Sequence, residues 1–143
     1  MTTSVTKQSD IQHSWHLIDA QGAILGRLAS QISILLQGKS KPYFSPNLDC
    51  GDYVVVINTD GLKVTGRKGS QHIYYRHSGF PNGLKAITFN EQMLKDSRRA
   101  LFWTVSKMLP KNKLRQSRLN RLKLFKDANH IYQDKFQSKT DHK

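Results

Sequence analysis

The sequence predicts an α/β domain built on a strand–helix–strand crossover, with a strongly basic second half. Three observations carry this expectation. An apolar stripe recurs at helical spacing through Leu25, Leu28, Ala29, Ile32, Leu35 and Leu36. A continuous run, Tyr53-Val54-Val55-Val56-Ile57, has the composition of a strand buried on both faces of a parallel sheet. A shorter apolar run, Trp15 to Ile18, precedes both. Two parallel strands need a crossover between them, and the helix supplies it. At 143 residues, 37% of them hydrophobic, the chain is sized for one core and one domain, not for two domains or for disorder throughout. The expected division is an N-terminal arm over 1–14, an α/β domain over 15–126 and a C-terminal tail over 127–143.

Each element has a local reason. Trp15 to Ile18 ends in Asp19 and the Gln21-Gly22 turn, so it reads as a strand leaving the sheet. The helix that follows stops at Gly38, which can adopt the left-handed conformation of a C-cap. Pro42, Pro46 and Gly51-Asp52 make the next stretch a surface loop before the Val-rich strand. Leu62 to Thr65 is a short strand or a turn of helix, ended by Gly66-Arg67-Lys68-Gly69, and Ile73-Tyr74-Tyr75 starts another strand. Ser78 to Gly83 is a loop. Thr88-Phe89-Asn90-Glu91 matches a capping box, in which a Thr hydroxyl and a Glu carboxylate satisfy two orphan amides, so a helix begins near Phe89. A second helical piece from about Ser97 to Leu109 buries Leu101, Phe102, Val105, Met108 and Leu109 and is stopped by Pro110.

The charge is unevenly placed. Lys and Arg total 23 against 10 Asp and Glu, a net charge of +13. Residues 1–60 carry four basic and five acidic side chains, whereas 61–126 carry sixteen and two. Such an excess in one segment repels itself unless a polyanion lies against it, and turn residues interrupt it too often for one membrane-surface helix. Nucleic acid is therefore the expected partner. Lys111, Lys113, Arg115, Arg118, Arg121, Lys123 and Lys126 occur with no acid in sixteen residues, interleaved with Leu119, Leu122, Leu124 and Phe125. This pattern suggests a packed segment facing phosphate, whose charges could be removed without loss of fold. Arg67, Lys68, Arg76, His77 and Lys85 lie in or beside glycine-containing loops that let phosphate approach the backbone.

Other chemistries find little support. Cys50 is the single cysteine, so neither a disulfide nor a thiolate zinc site is available within the chain. His72 and His77 fall on opposite faces of a strand and lack companions, so no metal is expected. Gly66 and Gly69 are too close together for a nucleotide P-loop and lack its Gly-Lys-Ser/Thr ending, and no catalytic constellation, cofactor site or small-molecule substrate site stands out. No apolar run approaches the ~20 residues of a membrane span, and no secretory or Arg-rich transit signal opens the chain. Trp103 projects to the polar side of its helix, where a nucleotide, a protein pocket or the chain's own C-terminal residues could cover it.

The chain resembles the large-subunit ribosomal protein L-thirteen family, in its bacterial and organellar form. The resemblance runs from Trp15 to Phe125 through Leu25-Gly26-Arg27-Leu28-Ala29, Gly38-Lys39-x-Lys41-Pro42, Asp49-x-Gly51-Asp52-Tyr53-Val54-Val55-Val56-Ile57-Asn58 and Val64-Thr65-Gly66-x-Lys68. It continues in Tyr74-Tyr75-x-His77-Ser78-Gly79, Met108-Leu109-Pro110-Lys111 and Leu122-Lys123-Leu124-Phe125. It implies a single three-layer α/β/α domain with a mainly parallel four-stranded sheet. It also implies large-subunit ribosomal RNA and neighbouring ribosomal proteins as partners, with a role in subunit assembly and no catalysis. The chain departs from the family at Asn82, Lys107, Asn112 and Arg115, each standing for a glycine, and in its His130-Ile131-Tyr132 tail. Its Asp49-Cys50-Gly51-Asp52 version, its Lys111-to-Arg115 run and its altered tail look most like fungal and other mitochondrial members, with a bacterial cytoplasmic setting as the alternative. A freestanding RNA- or DNA-binding regulator on the same scaffold is the second reading, and a nucleotide-using enzyme a distant third.

Overall fold

The computed structural model describes residues 6–137, which leaves the ends of the predicted arm and tail outside the described residues. Three parallel strands form the central sheet in the order β1 (Trp15–Asp19), β2 (Tyr53–Ile57), β5 (Leu122–Leu124). Trp15 pairs with Tyr53 and Ile18 with Val56 on one side of β2, and Val54 pairs with Leu122 on the other. α1 (Leu25–Gln37) makes the predicted crossover and ends on Gly38 at φ 76°, whose N–H bonds back to the Ile34 and Leu35 carbonyls. Beyond it come α2 (Lys68–Gln71), a hairpin of β3 (Ile73–His77) and β4 (Leu84–Thr88), the long α3 (Phe89–Met108), α4 (Leu114–Asn120) and α5 (Asp134–Gln137).

Strand periodicity sends alternate side chains to opposite faces. On one face Ile18, Val54, Val56 and Leu122 join Leu28, Ile32 and Leu36 of α1 and Leu101 and Val105 of α3 in a single core. On the other face Trp15 stacks on Tyr53 with centroids 4.4 Å apart, and Tyr132 and Phe136 of the C-terminal segment close over Trp15. Among the described residues this far layer is one turn of helix and its aromatic neighbours.

Among the described residues the sheet has three strands, where the resemblance implies four. Residues 62–65 reach their neighbour through a single parallel bridge, Lys63 to Ile24. Gly61 and Gly66 bracket this stretch and leave little length for a ladder. β4 is a strand that sequence reasoning left unassigned, and it pairs antiparallel with β3 outside the main sheet. The Gly66-to-Gly69 stretch, expected as a loop, contains the start of α2.

The two helical pieces predicted around residue 97 are one element broken at Asp96, whose backbone is extended at φ −161° and ψ 101°. The Asp96 carboxylate accepts the Arg98 amide at 3.2 Å and so caps the second piece, while Gln92 Nε2 donates to the Asp96 carbonyl at 2.9 Å. The capping box at Thr88 and Glu91 is formed with both of its hydrogen bonds. Trp103 is half-buried against Tyr74 of the hairpin, 4.8 Å between centroids, while Phe102 and Met108, expected in the core, are exposed.

Gly51 packs where no side chain fits, since a Cβ there would collide with the Leu36 carbonyl at the end of α1. Gly26, on the exposed face of α1, has nothing within 4 Å of its missing Cβ. Gly51→Ala should therefore lower the melting temperature by several degrees through forced separation of the loop and α1. Gly26→Ala should leave it unchanged or raise it, because alanine favours a helix interior over glycine by roughly 0.5–1 kcal/mol. Thermal unfolding of both variants by circular dichroism checks the pair.

Candidate nucleic-acid interface

The hairpin gathers three of the predicted site residues. Arg76 on β3 and Lys85 on β4 are directly opposed in the register. With His77, Ser78 and Gly83 they line an open cleft of about 440 Å³. Cross-strand partners lie roughly 5 Å apart and like charges there repel, so this pairing is unfavourable until an anion sits between them. The tip is held in shape by its backbone. Ser78 N–H donates to the Gly83 carbonyl at 3.1 Å, and Gly83 N–H to that of Phe80 at 2.9 Å. Gly79 N–H donates to His77 Nδ1 at 2.9 Å, which fixes the ring and leaves Nε2 free to meet a ligand. Asn82 takes φ 59°, a left-handed conformation that asparagine tolerates, so the turn keeps a glycine-like geometry. Ser78 and Gly83 are the lining residues sequence reasoning had placed only in a loop.

Arg67 and Lys68 are exposed at the start of α2, and Lys111 and Lys113 are exposed before α4. None of these four lines the hairpin cleft. Lys123 is half-buried on β5.

The late arginines behave differently. Arg118 is 2% exposed and Arg121 9%. Arg121 grips Asp49 with both terminal nitrogens, Nη1 at 2.6 Å from Oδ2 and Nη2 on Oδ1, and Arg118 Nε lies 3.6 Å from the same carboxylate. The point where a Gly51 Cβ would stand is 2.8 Å from Arg121 Nη2, so the guanidinium also approaches the carbonyl end of α1, where the helix dipole favours a cation. Arg115 donates through Nη2 to the Ser106 carbonyl and, at 2.9 Å, to its hydroxyl, tying the start of α4 back to α3. The expectation for Arg118 and Arg121 is a surface that faces phosphate, whereas the fold places both side chains inside. Both guanidiniums are enclosed by protein and matched to a protein carboxylate. No neighbouring acid in sequence could signal this, because Asp49 lies 72 residues before Arg121.

A second carboxylate completes this clamp. Asp52, also buried, accepts from Lys41 Nζ at 2.5 Å, from the Ser14 amide at 2.8 Å and from His16 Nε2 at 2.9 Å. Burial is the largest influence on each carboxyl and acts to raise its pKa. For Asp49 the Arg121 hydrogen bonds and the charges of Arg121, Arg118 and His13 outweigh it, and for Asp52 Lys41, Ser14 and His16 do, so both pKa values lie below the ordinary 3.8.

Among the described residues no group of three or more His, Cys, Asp or Glu side chains could hold a metal, and no helix is long and apolar enough to cross a membrane. The profile of the ribosomal protein L13 family matches residues 13–131. The chain belongs to that family. Proteins named large ribosomal subunit protein uL13 are similar to it along almost their whole length. That of Chloroflexus aggregans is 48% identical over 130 residues, 91% of each chain. That of Thermobifida fusca is 47% identical over 133 residues, covering 93% of this chain and 89% of the relative. That of Thermotoga petrophila is 41% identical over 131 residues, covering 92% and 88%. The family is one of structural ribosomal proteins, so the reading as a nucleotide-using enzyme falls.

Two predictions follow from the clamp. Removing Asp49 leaves two buried guanidiniums uncompensated, a loss of about 3–5 kcal/mol. Asp49→Asn and Arg118→Gln should each lower the melting temperature by on the order of 10 °C, while Lys111→Gln with Lys113→Gln, both exposed, should shift it by no more than about 2 °C. Scanning calorimetry at pH 7 decides between them. The pH dependence has a definite sign. Depressed carboxyl pKa values contribute stability that is complete above the unfolded value near 4 and is lost as the pH falls through the folded values. The melting temperature should hold between pH 7 and 5 and drop below pH 4, with a shallower drop when Asp49 and Asp52 are both Asn.

Proposed function

We propose that this chain is a structural constituent of the large ribosomal subunit that holds large-subunit ribosomal RNA through exposed lysines and arginines and supports assembly, alongside neighbouring ribosomal proteins. Family membership and the names of the relatives support the particle. The observation that supports the mode of binding is the opposed Arg76–Lys85 pair at the mouth of the hairpin cleft, which phosphate would relieve. The contact set in this reading is Arg76, His77 and Lys85, with Arg67, Lys68, Lys111, Lys113 and Lys123 as further cations. Arg115, Arg118 and Arg121 shape the surface that presents them. The freestanding regulator has no observation in its favour. The relatives named above are bacterial. They support a bacterial-type ribosome in the cytoplasm over the mitochondrial setting suggested by the Asp49-to-Asp52 and Lys111-to-Arg115 residues.

Binding of the full chain to a large-subunit RNA fragment should be steeply salt-dependent. For ~6 phosphate contacts the affinity should fall on the order of 10³-fold between 50 and 200 mM salt. Arg76→Gln with Lys85→Gln should weaken binding and reduce the slope of log affinity against log salt by about 2, roughly one per lost contact, with the melting temperature unchanged. An unchanged slope in the double variant would remove the hairpin from the RNA interface. Failure of the tagged protein to co-sediment with large subunits after a high-salt wash would remove the ribosomal reading itself.

A further inference from the structure

The cationic face of the hairpin is the one that meets α3. Strand alternation and the register place Tyr74 and Arg76 of β3 on the same face as Ile87 and Lys85 of β4. Tyr74 on that face rests on Trp103 of α3, with ring centroids 4.8 Å apart, and Arg76 and Lys85 stand two residues, roughly 7 Å, further along their strands. On the helix, Arg99, Trp103 and Lys107 recur four residues apart and so share one face, about 200° around from the buried Leu101 and Val105. Arg99 and Lys107 are both exposed, each about 6 Å along the axis from Trp103. The contact between Tyr74 and Trp103 therefore joins two pairs of cations, one from the hairpin and one from the helix.

No protein carboxylate answers these cations. Among the described residues, Arg76, Lys85, Arg99 and Lys107 take part in no ion pair. The acids nearest in sequence are engaged elsewhere. Glu91 accepts the Thr88 amide in the capping box, and Asp96 pairs with Arg98 at 3.0 Å. Arg98 shows what one position changes, since it lies about 100° around the helix from Arg99 and has a carboxylate of its own. A surface charged only for solubility would interleave both signs. Here two elements distant in sequence bring like charges to one aromatic contact, where they repel until anions neutralise them. A single phosphate cannot touch four cations spread over two elements, whereas successive phosphates of one RNA backbone can. The hairpin pair already lines the cleft read above as a phosphate site, and the helix pair continues the same charge.

We propose that Arg99 and Lys107 of α3 extend the hairpin site, so that one stretch of ribosomal RNA backbone runs from Arg76 and Lys85 across the Tyr74–Trp103 contact onto α3. The proposal rests on the RNA reading of the hairpin given above and adds two phosphate contacts that this reading lacks. Tyr74 and Trp103 act as positioning residues in it, because their contact sets the spacing between the two cation pairs.

The test measures binding of the full chain to a large-subunit RNA fragment across a salt series. Arg99→Gln with Lys107→Gln should reduce the slope of log affinity against log salt by about 2, and the quadruple variant that adds Arg76→Gln and Lys85→Gln by about 4, roughly one per lost contact. All four side chains are exposed, so a melting curve should move by no more than about 2 °C. Lys39→Gln with Lys135→Gln removes the same charge from exposed positions after α1 and in α5, and should leave the slope unchanged. A helix pair without effect beside a hairpin pair that lowers the slope overturns the extension and leaves the hairpin reading standing. If neither pair lowers it, both readings fail. A control pair as effective as the helix pair reveals a net-charge effect and overturns the extension. A second arm places a diazirine-bearing lysine analogue at position 107 of the chain in salt-washed large subunits, which keeps the charge and reports its neighbour on irradiation. An adduct on ribosomal RNA supports the proposal. An adduct on an acidic peptide of another protein alone, or no adduct in particles that contain the probe, overturns it.

Discussion

One carboxylate, that of Asp49, decides where the second half of the chain lies. It is shared by Arg121 and Arg118, both buried. Arg121 immediately precedes β5, and its carbonyl accepts the Val54 amide at 3.1 Å as that strand joins the sheet. Three residues after Asp49, Asp52 fastens the segment just before β1 through the Ser14 amide, and its own amide bonds to the Leu35 carbonyl at the end of α1. Strand, helix end and loop thus converge on Asp49-Cys50-Gly51-Asp52. Apolar packing alone would tolerate a slip of this region, whereas a slip here would strand buried guanidiniums without their partner at a cost of several kcal/mol. The clamp specifies an arrangement more than it adds stability. That is why Gly51, which lets loop, helix and guanidinium approach one another, admits no side chain.

What could be read from the sequence was what local chemistry determines. The stripe of α1, its glycine stop, the Val-rich strand, the capping box at Thr88 and the restart of α3 at Ser97 each depend on residues within a turn or two, and each is present as expected. Composition cannot state the direction in which a charge points. The run from Lys111 to Lys126 reads as uniformly basic, yet Arg118 and Arg121 turn inward to an acid far away in sequence. β4 was missed because Leu84-Lys85-Ala86-Ile87-Thr88 holds only two β-branched residues and gains its conformation by pairing with β3. With β4 unassigned, Arg76 and Lys85 were two separate surface cations. Their opposition across one hairpin, the feature that most suggests an anion, exists only in the tertiary structure.

The late basic segment also sorts its cations by type. The three residues that turn inward, Arg115, Arg118 and Arg121, are all arginines, while Lys111 and Lys113 stay exposed. The guanidinium is planar and less strongly hydrated, so it gives up water more cheaply and can grip a carboxylate with two nitrogens, as Arg121 does. The ammonium keeps its water and serves as a mobile point charge at the surface. A single stretch of sequence can in this way carry both the internal ties of the scaffold and its outward charge without confusing the two.

The hairpin shows the same division at the scale of one element. At its α3 end it is anchored, since Tyr74 rests on Trp103 and the Phe89 amide bonds to the His72 carbonyl at 2.9 Å. Beyond Tyr74 and Ile87 its support among the described residues is its own ladder and turn, while Arg76 and Lys85 repel each other and Tyr75, Phe80 and Leu84 face water. These are two separate debts, one electrostatic and one hydrophobic, on opposite sides of a ribbon two strands wide. A phosphate can settle only the first, because it offers charge and no apolar area. An apolar surface can settle only the second, because burying two like charges against it would cost more than it returned.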